Sequence, residues 1–155
     1  MVYGAIYEKN EYLINIFESI KNKQTKYNWL ITDCVCYPKS PKIEEKLNQE
    51  YCFISGEELT EFISEESFQL IWAVFSAFDK SIELSDILKY SLPYADGYRG
   101  FWKKPLSIQH PLAQMEIVSW DSTLTLLFSK NKADIDSFLK YYPKSELLES
   151  YIDGQ

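Results

Sequence analysis

Apolar positions are densest in Ser67–Phe78, SFQLIWAVFSAF. They split into two alternating sets, Phe68, Leu70, Trp72, Val74 and Phe78 on one side, Ile71, Ala73, Phe75 and Ala77 on the other. An extended segment that is apolar on both faces is a central strand covered from both sides. Ala and Leu also suit a helix of this length. The load of Phe, Trp, Val and Ile, bounded by Ser67 and by Asp79-Lys80-Ser81, favours the strand.

The rest of the chain falls into order around it. Met1–Tyr7 alternates as a short strand, and Asn10 is placed to cap a helix to Lys21 with Leu13, Ile16, Phe17 and Ile20 as its apolar stripe. Tyr27–Tyr37 reads as a strand with Trp29, Ile31 and Val35 on one face, expected to pair antiparallel with the first strand. Pro38-Lys39-Ser40-Pro41 breaks it and starts a short polar helix to Gln49. After an extended Tyr51–Ile54, Ser55-Gly56-Glu57-Glu58 has the spacing of a capping box, and its helix runs to Glu65 with Leu59, Phe62 and Ile63 inward.

Beyond the central strand, Ser85-Asp86 is a candidate cap for a helix carrying Ile87, Leu88 and Tyr90. Leu112–Trp120 and Thr123–Ser129 form a hairpin about Asp121-Ser122. Asn131 begins a helix that Pro143 ends, and Ser145–Tyr151 is a last helical segment. The expected fold is α+β: one domain over residues 1–155, with a mixed or mainly antiparallel sheet of about five strands packed by helices. Leu92–Pro111 fits no element. It holds three Pro, two Gly, the only Arg and the only His, and at 20 residues it far exceeds the usual connection of about 4–6.

Composition narrows the function classes. The 155 residues carry a net charge of −7, which opposes attraction to phosphate backbones and anionic membranes and favours a basic partner. No apolar run reaches the ~18 residues of a membrane span, and Glu8 follows at once on a short apolar start, so no export leader is expected and the location is read as cytoplasmic.

Candidate chemistry is sparse. Cys34, Cys36 and Cys52 are an odd set with C-x-C spacing, read as structural thiols; a metal site completed by Cys52 and His110 is sterically conceivable but lacks the usual C-x2-C spacing. His110 is the only histidine available to Cys-His or Ser-His catalysis, and Pro111 holds it extended. The carboxylate pairs Glu44/Glu45, Glu57/Glu58 and Glu65/Glu66 read as solvated helix faces. No phosphate-binding, zincin or calcium-loop motif is present, and neither catalytic residue, metal nor cofactor is expected. The informative cluster is Tyr94, Tyr98, Arg99, Phe101, Trp102, Lys103 and His110 in the long loop, of the types that dominate binding hot spots. Either it recognises a partner, or its aromatics pack on the sheet as a second core.

Tyr27-Asn28-Trp29-Leu30-Ile31, Ile54-Ser55-Gly56-Glu57-Glu58-Leu59 and Phe68-Gln69-Leu70-Ile71 through Ala77-Phe78 occur in an order that resembles a family of short bacillus-type proteins of unknown function. The resemblance covers the first half of the chain, implies structural motifs only and leaves the long loop outside. In general character the chain is similar to immunity proteins, which would imply a non-enzymatic protein-binding module of a bacterial cytoplasm that inhibits a basic toxin. The alternatives are a small-molecule-binding or enzymatic domain with the 92–111 loop over a pocket, and a homo-oligomer with the loop as its interface.

Overall fold

The computed structural model describes residues 1–155. Seven strands form one sheet: β1 (Tyr3–Tyr7), β2 (Tyr27–Cys36), β3 (Tyr51–Ser55), β4 (Leu70–Asp79), β5 (Met115–Trp120), β6 (Leu124–Ser129) and β7 (Glu146–Leu147). Their spatial order is β3-β2-β4-β5-β6-β1-β7, and every neighbouring pair is antiparallel. The helices are α1 (Leu13–Ser19), α2 (Pro41–Leu47), α3 (Gly56–Glu65), α4 (Leu84–Ile87), α5 (Lys132–Tyr141) and α6 (Leu148–Asp153), with single 3-10 turns at Lys23–Lys26 and Gly100–Trp102.

The apolar run expected to be a central strand is β4, flanked by β2 and β5. Ala73, Phe75 and Ala77 enter the core beneath the helices, while Val74 and Phe78 enter a second core on the opposite face. Ser55 Oγ accepts the Glu58 amide at the start of α3, as the capping spacing implied. Gly56 is required there for a different reason. A Cβ on it would meet the Gln24 carbonyl oxygen at 1.8 Å, so the helix start rests on the backbone of the Lys23–Lys26 turn. The hairpin tip uses two left-handed residues, Asp121 (φ 50°) and Ser122 (φ 60°), the conformation that Asp tolerates.

Five expectations need correction. The first strand does not pair with Tyr27–Tyr37: β1 lies between β6 and β7, and β4, β5 and β6 separate it from β2. The strands that bury both faces take the interior positions, and the chain from β1 crosses them through α1. The sheet has seven strands rather than about five; the seventh, Glu146–Leu147, lies within the segment read as helical, where its pairing with Ala5 and Ile6 outweighs local propensity. Asn10 does not cap α1; its side-chain amide donates to the Leu70 carbonyl at 2.7 Å, and Tyr12 stands at the cap without a side-chain bond. Glu83 rather than Ser85 precedes the single turn of α4. Glu66 is not merely solvated: its carboxylate accepts the Lys39 and Ser40 amides at 2.7 and 2.9 Å, closing the turn before α2.

α1, α2, α3 and α5 cover one face of the sheet. The other face is covered by Leu92–Pro111 together with α4 and α6. No helix is long and apolar enough to cross a membrane.

Candidate functional site

The long loop is held by side chains that bond its backbone. Asp33, left-handed at φ 48° in an irregularity of β2, accepts the Ala95 and Asp96 amides on Oδ2 at 2.9 and 3.0 Å. Gln109 closes the loop on itself: its side chain accepts the Tyr94 amide at 3.0 Å and donates to the Tyr94 carbonyl at 2.9 Å. Four ties to side chains replace the repeating backbone ladder that a helix or strand would supply.

Beneath the loop, Phe101 is fully buried, its ring 4.6 Å from Tyr98 and 5.9 Å from Phe128. Ala95, Leu106 and Ile108 are buried with it against Ile6, Leu30, Val74 and Val118. His110 is also interior. Its ring meets Phe78 edge-on at 4.8 Å, its Nε2 hydrogen donates to the Ile87 carbonyl at 2.9 Å, and its Nδ1 accepts the Leu112 amide at 3.2 Å. Burial lowers its pKa, consistent with a neutral imidazole serving as a strut between loop and α4.

The remaining sequence-predicted residues stay nearer the surface. Tyr94 is 47% exposed and stacks edge-on to Tyr98 at 5.3 Å. Tyr98 folds back over Gly100, where a Cβ would lie 2.3 Å from its hydroxyl oxygen, so a side chain at position 100 would displace the ring from this position. Arg99 and Lys103 are exposed and belong to none of the ion pairs of the protein, whereas Lys104 is paired with Asp153 at 2.5 Å. Tyr94, Tyr98, Arg99 and Lys103, with Ser107, line an open cleft of about 560 Å³. Its lining includes no carboxylate, imidazole or thiol. Half-buried Trp102 turns to the other side, 5.8 Å from Trp120 and 6.0 Å from Tyr151, bounding a separate apolar hollow of about 410 Å³. The structure thus brings four of the seven residues, Tyr94, Tyr98, Arg99 and Lys103, to one cleft, turns Trp102 to a separate hollow, and sets Phe101 and His110 below as support.

One group the sequence reading passed over is Glu116. It interrupts an otherwise apolar strand, and a carboxylate at such a position was the available signal. It is fully buried under the loop, Oε2 accepting the Gln109 amide at 3.2 Å and Oε1 without a partner; opposite it on β4, Ser76 Oγ is also unpartnered. Burial pushes its carboxyl up to about 8, so it is held neutral at pH 7. No three His, Cys, Asp or Glu side chains converge in a group that could hold a metal ion. His110 lies on the opposite face of the sheet from the cysteines, so the set considered from sequence is not assembled.

The family model described as Protein of unknown function (DUF2691) matches residues 5–92, more than half of the chain. The chain belongs to the DUF2691 family. The match spans β1 to α4 and stops at Leu92, the first residue of the long loop, so the loop, the β5–β6 hairpin and everything after it lie beyond the matched region of the DUF2691 pattern. No curated protein and no solved structure matches the chain.

Proposed function

We propose that this DUF2691 member is a non-enzymatic protein-binding module whose recognition surface is the Tyr94, Tyr98, Arg99 and Lys103 cleft together with the separate hollow that Trp102 bounds. One observation carries the reading: two unpaired cations and an exposed tyrosine stand on a loop that is pinned at both ends and seated on a buried core. A surface fixed before binding loses little conformational entropy on association, which is the condition for hot-spot residues to yield affinity. The net charge of −7 speeds encounter with a basic partner, while Arg99 and Lys103 fix an acidic group of that partner at contact. This combination favours an immunity-type inhibitor of a basic toxin in the bacterial cytoplasm.

The test is affinity capture from the native host's lysate, comparing the wild type with Arg99→Ala/Trp102→Ala after circular dichroism has verified both folds. Retention of one basic protein by the wild type and its loss from the variant supports the reading. Equal retention by both, or capture of nothing, removes it.

The 560 Å³ cleft supports a second reading, a small anionic ligand held by Arg99 and Lys103. Calorimetric titration with inorganic phosphate and with a dicarboxylate tests it, and the absence of heat in both titrations contradicts it.

A further inference from the structure

Cys34 and Cys36 lie where β2 loses its regular pairing. The register with β4 shifts between Thr32 and Val35 and again between Val35 and Cys36, just after the left-handed Asp33. Both thiols are free and half-buried, and their Sγ atoms are 3.7 Å apart in hydrogen-bond contact. Together they open onto a hollow of about 170 Å³ bounded on its far side by Glu44, Leu47 and Asn48. Cys52 is buried on β3 and does not line this hollow.

The two thiols are chemically unlike. The bond between them, with burial, pushes Cys34 above the ordinary thiol range, and the same bond brings Cys36 down. Burial raises Cys52. Cys36, at the end of β2 beside the hollow, is the candidate attacking sulfur, with Cys34 Sγ 3.7 Å away as the hydrogen-bond partner and resolving thiol. Glu44 and Glu66 oppose the Cys36 thiolate electrostatically without reversing the direction.

We propose that Cys34 and Cys36 form a reversible dithiol–disulfide site that exchanges with low-molecular-weight disulfides. The Cys36 thiolate attacks one sulfur of RSSR, forming a Cys36–SR bond and breaking the S–S bond of RSSR, and the first RS⁻ leaves. Cys34 then attacks Cys36 Sγ, the Cys34–Cys36 bond forms, and the second sulfur departs as RSH with the proton of Cys34. Two electrons pass from the dithiol to RSSR, which is reduced to its two thiol products. Residues i and i+2 of a regular strand are about 6–7 Å apart, at the upper end of the Cα separation of about 4.4–6.8 Å that disulfides span. The irregular stretch of β2 is where the backbone can shorten that gap without tearing a regular ladder.

The experiment uses the reduced full chain with oxidised glutathione as the probe, followed by intact-mass analysis and peptide mapping. The wild type is expected to lose two hydrogens, to retain no glutathione, and to yield a Cys34–Cys36 link with Cys52 free. Cys34→Ser is expected to stop at a mixed disulfide on Cys36, and Cys52→Ser to behave as the wild type. Alkylation by iodoacetamide should reach half its maximal rate at a lower pH for Cys36 than for Cys52. First reaction at Cys52, a glutathione adduct that persists on wild-type Cys36, or no reaction of the folded protein overturns the proposal. The wild-type peptide map decides the matter even if a serine variant fails to fold.

Discussion

On one face of the sheet, α1, α2, α3 and α5 close over a core of 24 buried residues; on the other, a loop, one helical turn and α6 close over 14. The helical cover satisfies its own backbone and contributes side chains at regular spacing. The loop cover satisfies its backbone through Asp33, Gln109, Glu116 and His110, residues drawn from β2, β5 and the loop itself. Both faces rest on an apolar core, and the loop face adds specific polar ties that stand in for helical backbone bonds, beneath a surface free to carry Arg99 and Lys103.

The largest expected effect is on the loop face. Phe101→Ala should lower the unfolding free energy by about 3–5 kcal/mol, as for a core phenylalanine. Urea denaturation measures it, and a loss below ~1 kcal/mol would mean that the loop lies on the sheet without being part of its core. Asp33→Ala comes next. It frees two amides and places Ala in a left-handed conformation, for an expected cost of about 1–3 kcal/mol, with Asp33→Asn milder because Asn retains an acceptor and tolerates positive φ.

This contrast also governs what could be read from sequence. The helix-side elements were legible because Leu13/Ile16/Phe17 and Leu59/Phe62/Ile63 repeat at helical spacing and Ser55 carries its capping signal. β4 was legible because its alternation is apolar on both sides. The loop's aromatics were legible as a cluster, yet their split into buried Phe101 and half-exposed Trp102 was not, since adjacent residues outside a repeating element have no period that assigns them to a side. The roles of Asp33, Gln109 and Glu116 depend on partners 62, 15 and 7 positions away, pairings that only the folded topology creates. β7 depends likewise on contact with β1.

A smaller effect separates the faces by pH. Glu116 has a folded-state pKa of about 8, above its unfolded value, so the folded state binds the extra proton between the two. Its contribution to stability is undiminished below the unfolded pKa, falls as pH rises from there, and reaches its full loss once pH exceeds about 8. The slope is at most about 1.4 kcal/mol per pH unit. His110, lowered in the fold, has the opposite slope but only below about 6.5, so from pH 7 to 8 the difference between the wild type and Glu116→Gln reports Glu116, the slope from Cys36 being common to both. Denaturation midpoints should fall more steeply across that interval in the wild type than in Glu116→Gln. Equal slopes would show that the carboxyl is solvated.

The smallest expected effect on folding is at the recognition surface. Arg99→Ala and Lys103→Ala should each change stability by less than about 0.5 kcal/mol, since neither side chain has an intramolecular ion-pair partner. Thermal melts check this, and a larger loss would assign these residues to the fold rather than to a partner.

Native-state hydrogen exchange measures most directly whether the loop is a fixed second layer. The amides of Ala95, Asp96 and Gln109, each bonded to a carboxyl oxygen of a buried or half-buried acidic side chain, are to be compared with those of β4. Protection within about tenfold of the strand, lost at all three positions when Phe101 is truncated to Ala, is the predicted result. Exchange of these amides near the rate of an unstructured peptide, while β4 remains protected, would contradict it.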